Sequence, residues 1–350
     1  MSDNEMVNDQ GYQAILDQCR KVYPQMDCET FGTVVPYRLG GKDPLDRVVV
    51  FKSDEQIPHW HYVTCGFSEL YEKESENKEL SGWGFELTFR LKREGDEKPP
   101  IWPINLLQNL ARYVFKSGNV FAAGEHMDCN GPIALEKETK LVALGFDTDP
   151  QLGCMETPNG HVDFIEIIAL TMDELDAMML WNGKSFLDLY RTIDPLGIAV
   201  LERESFLNKP GFKSALDAGI ERDGSSTGFL YVDDVSFDVL DHKGIPVAVI
   251  SMGAGYVTKI MRMLKARLSK ERKLLLQCPD IRIAFEAREK PGLGKQEDFA
   301  ILYLPARTQE ELSQVPPHVG QYVMKTMPIV IRVHKTEIRD CNGNVVSVIE

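Results

Sequence analysis

The sequence predicts an α/β (α+β) fold, a mixed-sheet N-terminal domain followed by a second, smaller α+β domain. Three observations carry that prediction. Trp83, Phe85, Leu87, Phe89 and Leu91 alternate with Gly84, Glu86, Thr88, Arg90 and Lys92, which is the period of a half-buried strand. Residues 162–170 are apolar at nearly every position, as in a strand covered on both faces. Helical stripes recur before, between and after these strands, so the two element types interleave along the chain.

Taken in order, Tyr12, Ile15, Leu16, Cys19 and Val22 form an amphipathic helical stripe that Pro24 stops. Residues 48–51 and 59–67 read as strands, and the Glu/Lys-rich stretch 69–80 reads as a solvated loop. After the alternating strand, Trp102-Pro103 opens a helix, because proline suits the first helical turn. Leu107, Leu110, Ala111 and Val114 give that helix its core side, and Lys116 then Gly118 mark its end. Thr171-Met172-Asp173-Glu174 is a capping box, starting a helix whose core side is Leu175, Met178 and Met179.

Residues 205–226 are polar and broken by Pro210, Gly211, Gly219 and Gly224, and 228–237 reads as a strand. The alternation then restarts. Strands are expected at 245–251, 273–277, 281–287 and 299–304, with a helix at 256–270 and another near Gln309. Residues 329–333 and 345–349 close the chain, and Asn342-Gly343 favours a hairpin turn between them. The domain boundary is placed after Phe237, giving 1–237 and 238–350.

Composition limits the function. The chain has 350 residues, 43% hydrophobic and 26% charged, with a net charge of -14. That excludes a disordered chain, a collagen-like repeat and a disulfide miniprotein. A cut after Phe237 separates -18 in the first part from +4 in the second. The two parts would attract each other or steer different partners. Seven scattered cysteines without a Cys-x-x-Cys pair suit reduced thiols and a cytoplasmic setting. The first residues carry no signal-peptide pattern, and no stretch approaches the roughly 18 apolar residues of a membrane span.

Candidate chemistry is sparse. His59 and His61 are two residues apart, hence on one strand face, where they form either a packed, hydrogen-bonded pair or half of a metal site. With His126 they define one alternative, a metal-dependent enzyme. Glu125, His126 and Cys129 are too close in sequence to assemble as a triad. Hydrolase, zincin and P-loop motifs are absent, and Gly253-Ala254-Gly255 lacks the third glycine of a dinucleotide fingerprint. No catalytic residue, metal or cofactor is therefore expected. The basic stretch 257–273 carries Lys259, Arg262, Lys265, Arg267, Lys270, Arg272 and Lys273 against Glu271. It reads as a solvated helix face or as a docking face for the acidic N-terminal lobe or an acidic partner protein. A nucleic-acid adaptor is the further alternative, disfavoured because the rest of the molecule repels phosphate.

One ordered set of segments is more specific than any of these. His59-Trp60-His61-Tyr62, Gly66-Phe67-Ser68-Glu69-Leu70-Tyr71, Ser81-Gly82-Trp83-Gly84-Phe85-Glu86-Leu87-Thr88-Phe89-Arg90-Leu91-Lys92-Arg93 and Leu110-Ala111-Arg112-Tyr113-Val114-Phe115 occur in sequence. Leu39-Gly40-Gly41-Lys42-Asp43-Pro44-Leu45-Asp46, Trp181-Asn182-Gly183 and Gly219-Ile220-Glu221-Arg222-Asp223-Gly224-Ser225 complete the set. Together they closely resemble the Suppressor of fused (SUFU) family over about residues 11–237. The resemblance implies a non-enzymatic protein-binding clamp, in which an extended partner segment adds a strand to each of two lobes. Carried over, the partner-binding residues fall on Tyr113, Phe121 and Glu125, with Val120 and Ala122 in the same strand. Glu125 stands where the family has an aspartate, and ordinary core packing is the other reading of Tyr113 and Phe121. In animal members the peptide comes from a Gli-type transcription factor. Those members also carry a Pro/Ala-rich extension and a long insert that this sequence lacks. The resemblance is to a compact bacterial member, which implies an immunity-type inhibitor of a cognate toxin. The expected partner is then a protein, with no membrane and no cofactor involved.

Overall fold

The computed structural model describes residues 8–95, 98–339 and 345–350. Its contacts divide the chain into two units, Met1–Leu175 with Gly183–Lys213, and Asp176–Asn182 with Ser214–Glu350. The boundary expected after Phe237 falls inside a strand, Val235–His242, and splitting a strand pair costs its ladder hydrogen bonds. Counted by the observed units, the first carries 21 basic and 34 acidic residues and the second 18 and 19. The second unit is therefore close to neutral, and the +4 came from where the cut was drawn.

In the first unit the helices are α1 (Gln10–Val22), α2 (Trp102–Ser117) and α4 (Gly183–Arg191), while α3 (Met172–Leu180) starts in the first unit and ends in the second. The strands are β1 (Cys28–Gly32), β2 (Arg47–Ser53), β3 (His59–Cys65), β4 (Leu80–Lys92), β5 (His126–Asp128), β6 (Leu141–Thr148), β7 (Cys154–Thr157) and β8 (Gly160–Thr171). They form one sheet in the order β1-β2-β3-β4-β8-β6-β5, with β7 paired to β8. Only the β4–β8 pair is parallel. α3 starts at its capping box, where the Thr171 N–H donates to Glu174 Oε2 at 2.9 Å. α2 stops at Gly118, whose φ of 77° is the left-handed conformation that glycine adopts without strain.

Strand parity sorts the side chains onto two faces. Val48, Val50, Trp60, Tyr62, Phe85, Leu87 and Phe89 pack beneath Leu107, Leu110, Ala111 and Val114 of α2. Val49, Phe51, Val63, Cys65 and Phe164 pack beneath Ile15 and Cys19 of α1. Both faces are thus covered, and the half-buried reading of β4 is corrected. Its polar residues Glu86, Thr88 and Arg90 are all fully buried. They persist because each finds charged or hydrogen-bonding partners, although Arg90 Nε itself has none among the described residues. Arg90 lies between Asp149 and Glu166, donating to Asp149 Oδ2 at 2.8 Å and pairing closely with Glu166. Thr88 Oγ1 donates to the same Asp149 oxygen at 2.7 Å. Arg191 of α4 donates to Glu166 Oε2 at 2.8 Å and to Asp147 Oδ2 at 3.0 Å. Gly197 (φ 61°) passes so near that an added Cβ would sit 3.0 Å from the Glu166 carboxylate.

Glu86 does equivalent work one turn of the pleat away. It accepts from Thr64 Oγ1 and Ser68 Oγ, both at 2.6 Å, and from the Gly66 and Ser68 amides at 2.9 Å. The stretch 69–80, expected as a solvated loop, is likewise organised on a carboxylate. Glu69 accepts from Lys73 Nζ at 2.8 Å and the Gly82 amide at 3.0 Å. These bonds hold it low, at about 2, against the upward pull of partial burial.

α5 (Pro210–Asp223) replaces the broken polar stretch expected at 205–226 and runs from the first unit into the second. Pro210 stands at its first position, where a missing N–H costs nothing. The second unit continues with β9 (Phe229–Tyr231), β10 (Val235–His242), β11 (Ile245–Gly253), α6 (Ala254–Leu268), β12 (Leu274–Gln277), β13 (Arg282–Ala287) and β14 (Gly292–Lys295). It closes with β15 (Phe299–Leu304), α7 (Ala306–Leu312), β16 (Gly320–Val323), β17 (Ile329–His334), β18 (Thr336–Arg339) and β19 (Val345–Ile349). Two sheets, β10-β11-β17-β16 and β14-β15-β13-β12-β9, contact α6, and β18 pairs with β19. The single strand expected at 228–237 is two, in different sheets. Asn342-Gly343 lies outside the described residues.

Replacing Arg90 by Met leaves Asp149 and Glu166 as buried charges without their guanidinium. Stability to urea should fall by about 3–5 kcal/mol, and equilibrium unfolding followed by tryptophan fluorescence checks it.

Candidate functional site: a groove beside an edge strand

The first unit holds a groove of about 820 Å³ between one side of α2 and the chain from β5 to Lys137. α2 builds one wall because it carries two stripes. Its core stripe faces the sheet, while Trp102, Leu106, Asn109 and Tyr113, spaced i, i+4, i+7 and i+11, line the groove. Met127 of β5 and Leu135 supply the opposite wall, and Leu135 is 89% exposed. The rim holds Glu94, Asp128, Glu136 and Glu202 against Lys92 and Lys137.

β5 ends the sheet path and pairs with β6 alone among the described residues. Glu125 O accepts from the Phe146 amide at 2.9 Å, and the Cys129 amide donates to Val142 O at 3.0 Å. Backbone groups of residues 125 and 129 thus point into the sheet, so by strand alternation those of Asp128 point away from it.

Residues 41–204 match the family described as Suppressor of fused protein (SUFU). Human Suppressor of fused homolog is 39% identical over 234 residues, 62% of this chain and 48% of its own, and the mouse protein matches equally. The chain spans about half the length of the curated relatives it matches. A crystal structure of Drosophila Suppressor of Fused shares the fold, with a TM-score of 0.74 at 23% identity over 93% of this chain and 97% of that one. A chain of the crystallised Sufu–Fu complex is 34% identical and covered over 98% of its length, with 60% of this chain matched and a TM-score of 0.56. The chain belongs to the SUFU family. The mixed α/β architecture, a sheet-rich first part and a smaller α+β second part, is that of the family.

Against that SUFU frame, the residues singled out from sequence separate into distinct environments. Tyr113 is 40% exposed on the groove, and its hydroxyl accepts from Asn119 Nδ2 at 3.0 Å. Phe121 is 6% exposed, stacked on Phe146 at 4.2 Å between ring centres and on Tyr113 at 5.8 Å. It belongs to the core, with one neighbour on the groove. Val120 and Ala122 are exposed, but the strand expected to contain them begins only at His126. Residues 118–125 are instead a tight connection in which Glu125 Oε2 accepts from the Ala122 amide at 3.0 Å. Glu125 therefore spends one carboxylate oxygen on its own turn. The groove's second α2 stripe and Leu135 were missed from sequence, although the i, i+4, i+11 spacing of Trp102, Leu106 and Tyr113 was there to be read.

His59, His61 and His126 do not converge on a metal. His61 Nδ1 lies 2.7 Å from the Tyr23 hydroxyl and its Nε2 3.3 Å from Asp149 Oδ2. His59 Nδ1 contacts Ile57 O at 2.8 Å, and His126 sits on the far edge strand. Burial, helped by the Arg90 guanidinium, pushes the His61 imidazole down to about 4. The basic stretch 257–273 is largely a solvated face, with Arg262, Lys265, Lys270, Arg272 and Lys273 exposed and Arg267 and Lys259 tied into the unit. Arg267 is buried and donates from Nη1 to Ser225 O at 2.9 Å, Arg272 donates to the same carbonyl at 3.0 Å, and Lys259 pairs with Asp176 at 3.0 Å. Among the described residues no helix is long and apolar enough to cross a membrane.

Two outcomes separate core from groove and fix the histidine's role. Phe121→Ala should cost about 3–5 kcal/mol in denaturant unfolding, whereas Tyr113→Ala should cost under about 1 kcal/mol. Between pH 6.5 and 4 the unfolded state takes the proton that folded His61 refuses, so folding weakens as pH falls through that window. Unfolding midpoints measured across it should drop more steeply for the native chain than for His61→Gln.

Proposed function

We propose that the first unit binds an extended segment of a partner protein by adding it as a strand to β5, with side chains seated in the adjoining groove. The observation that carries this reading is the juxtaposition of a terminal strand with an apolar groove lined by Trp102, Leu106, Tyr113, Met127 and Leu135. Main-chain bonds to a sheet edge supply affinity, and side-chain pockets supply selectivity. Tyr113 shapes the wall, Phe121 holds Tyr113 from beneath, and Glu125 sets the turn that positions β5. Val120 and Ala122 are exposed on the connection that leads from α2 to β5. The acidic rim favours a segment carrying basic residues. The Sufu–Fu complex supports protein binding as the family's mode of action.

For the partner we propose a toxin that the chain neutralises, a reading supported by the sequence resemblance to compact bacterial SUFU members. Capture from the native organism followed by mass spectrometry identifies the partner. Asp128→Pro removes an outward N–H, and Leu135→Asp puts a charge on the apolar wall. Each should weaken binding of the captured partner at least about tenfold without lowering the melting temperature. Unchanged affinity in both variants overturns the groove.

A further inference from the structure

The β7–β8 hairpin carries a set of donors that binding a partner does not use. Cys154 lies directly across from Asp163, and Glu156 directly across from His161. With a side-chain period of two, all four share one face of the hairpin. On the other face Met155 packs against the core beneath α1, and Val162 is fully buried. The turn is pinned as well. Thr157 Oγ1 donates to Gly160 O at 2.8 Å and accepts from the Asn159 amide at 3.0 Å, while Asn159 Nδ2 donates to Glu69 O at 2.8 Å. The donors are thus mounted on an ordered support with their outer face open to solvent.

Candidate ligand atoms of Cys154, His161 and Asp163 all lie within 4.8 Å of one another. His161 Nε2 is 3.2 Å from Asp163 Oδ1, and its Nδ1 is 2.7 Å from Glu156 Oε1. Metal–ligand bonds of about 2.0–2.3 Å at tetrahedral angles put neighbouring ligand atoms about 3.3–3.8 Å apart. The imidazole–carboxylate spacing of 3.2 Å lies just under that range, and rotation of the exposed Cys154 brings in the thiol. A thiolate with an imidazole and a carboxylate selects zinc-type ions over calcium or magnesium, which take oxygen alone.

We propose that Cys154 Sγ, His161 Nε2 and Asp163 bind one zinc-type divalent cation, leaving a fourth position to solvent. Glu156 is a positioning residue in this site. Its carboxylate accepts the Nδ1 proton, fixing the tautomer that turns Nε2 toward the metal. The strands bring together ligands whose sequence spacing matches no recognised metal motif, which is why a site without metal was expected.

The test uses the untagged full chain, stripped with a chelator and titrated with Zn²⁺ in competition with a chromophoric chelator. One equivalent should bind at micromolar affinity or tighter. Co²⁺ should produce a thiolate-to-metal charge-transfer band. Cys154→Ser should abolish that band and, like His161→Gln and Asp163→Asn, weaken Zn²⁺ binding at least about tenfold. Glu156→Gln should weaken it roughly tenfold while keeping the band. Cys129→Ser, on another strand edge, should change neither. Circular dichroism of each variant reports retained folding, which the exposure of the site favours. No stoichiometric Zn²⁺ uptake, or uptake unaltered by Cys154→Ser, overturns the proposal.

Discussion

Arg90 is the point on which the first unit turns. A guanidinium fully withdrawn from water is tolerable only where carboxylates meet it, and here two arrive from different places, with a second arginine behind them. Asp149 follows β6, Glu166 belongs to β8, and Arg191 of α4 neutralises the surplus negative charge on Glu166 and Asp147. His61 of β3 adjoins Asp149 from the other side. Five elements therefore have to be in place before the charge is matched. Such clusters add little net stability compared with apolar packing, but they discriminate strongly between registers. A one-residue slip of β4 would turn Arg90 onto the apolar face under α2. The registry of the sheet, and with it the position of every element hung on it, follows from that exclusion.

The groove inherits its shape from the same frame. β8 and β6 are set by the charge cluster, β5 is set by β6, and α2 is seated by the apolar face of β4. Phe121 joins these parts, because it stacks on Phe146 of β6 and supports Tyr113 of α2. The charged interior and the apolar groove occupy opposite faces of the sheet, so each could be elaborated without disturbing the other. The hairpin donors form a third, separate patch.

The sequence disclosed what local periodicity encodes and hid what distant pairing decides. The two-part α/β (α+β) architecture, most strands and the helices on α1, α2, α3 and α6 were legible from spacing and caps. Glu86, Thr88 and Arg90 looked solvent-facing because alternation reports polarity rather than exposure, and the partners of Arg90 lie 59 and 76 residues further on. Residues 210–223 looked broken because glycine is a poor helix former. Gly219 is there because the Trp181 ring leaves no room for a Cβ. The basic stretch is mostly the solvated face its charge suggested, while Arg267, buried against the Ser225 and Lys273 carbonyls, departs from it. Tyr113 was placed on the groove from a resemblance, whereas Leu135, in an irregular loop, had no periodic signal at all.

β5 is three residues long. An edge of that length is a poor template for indiscriminate pairing, because a visiting strand gains too few ladder bonds to repay its ordering entropy. Long open edges invite self-association and aggregation, and β5 offers little backbone for either. A segment that stays must add side-chain contacts in the groove to its few main-chain bonds. Under the proposed binding mode, selectivity at this edge is consequently a property of the visitor's sequence more than of its extended shape.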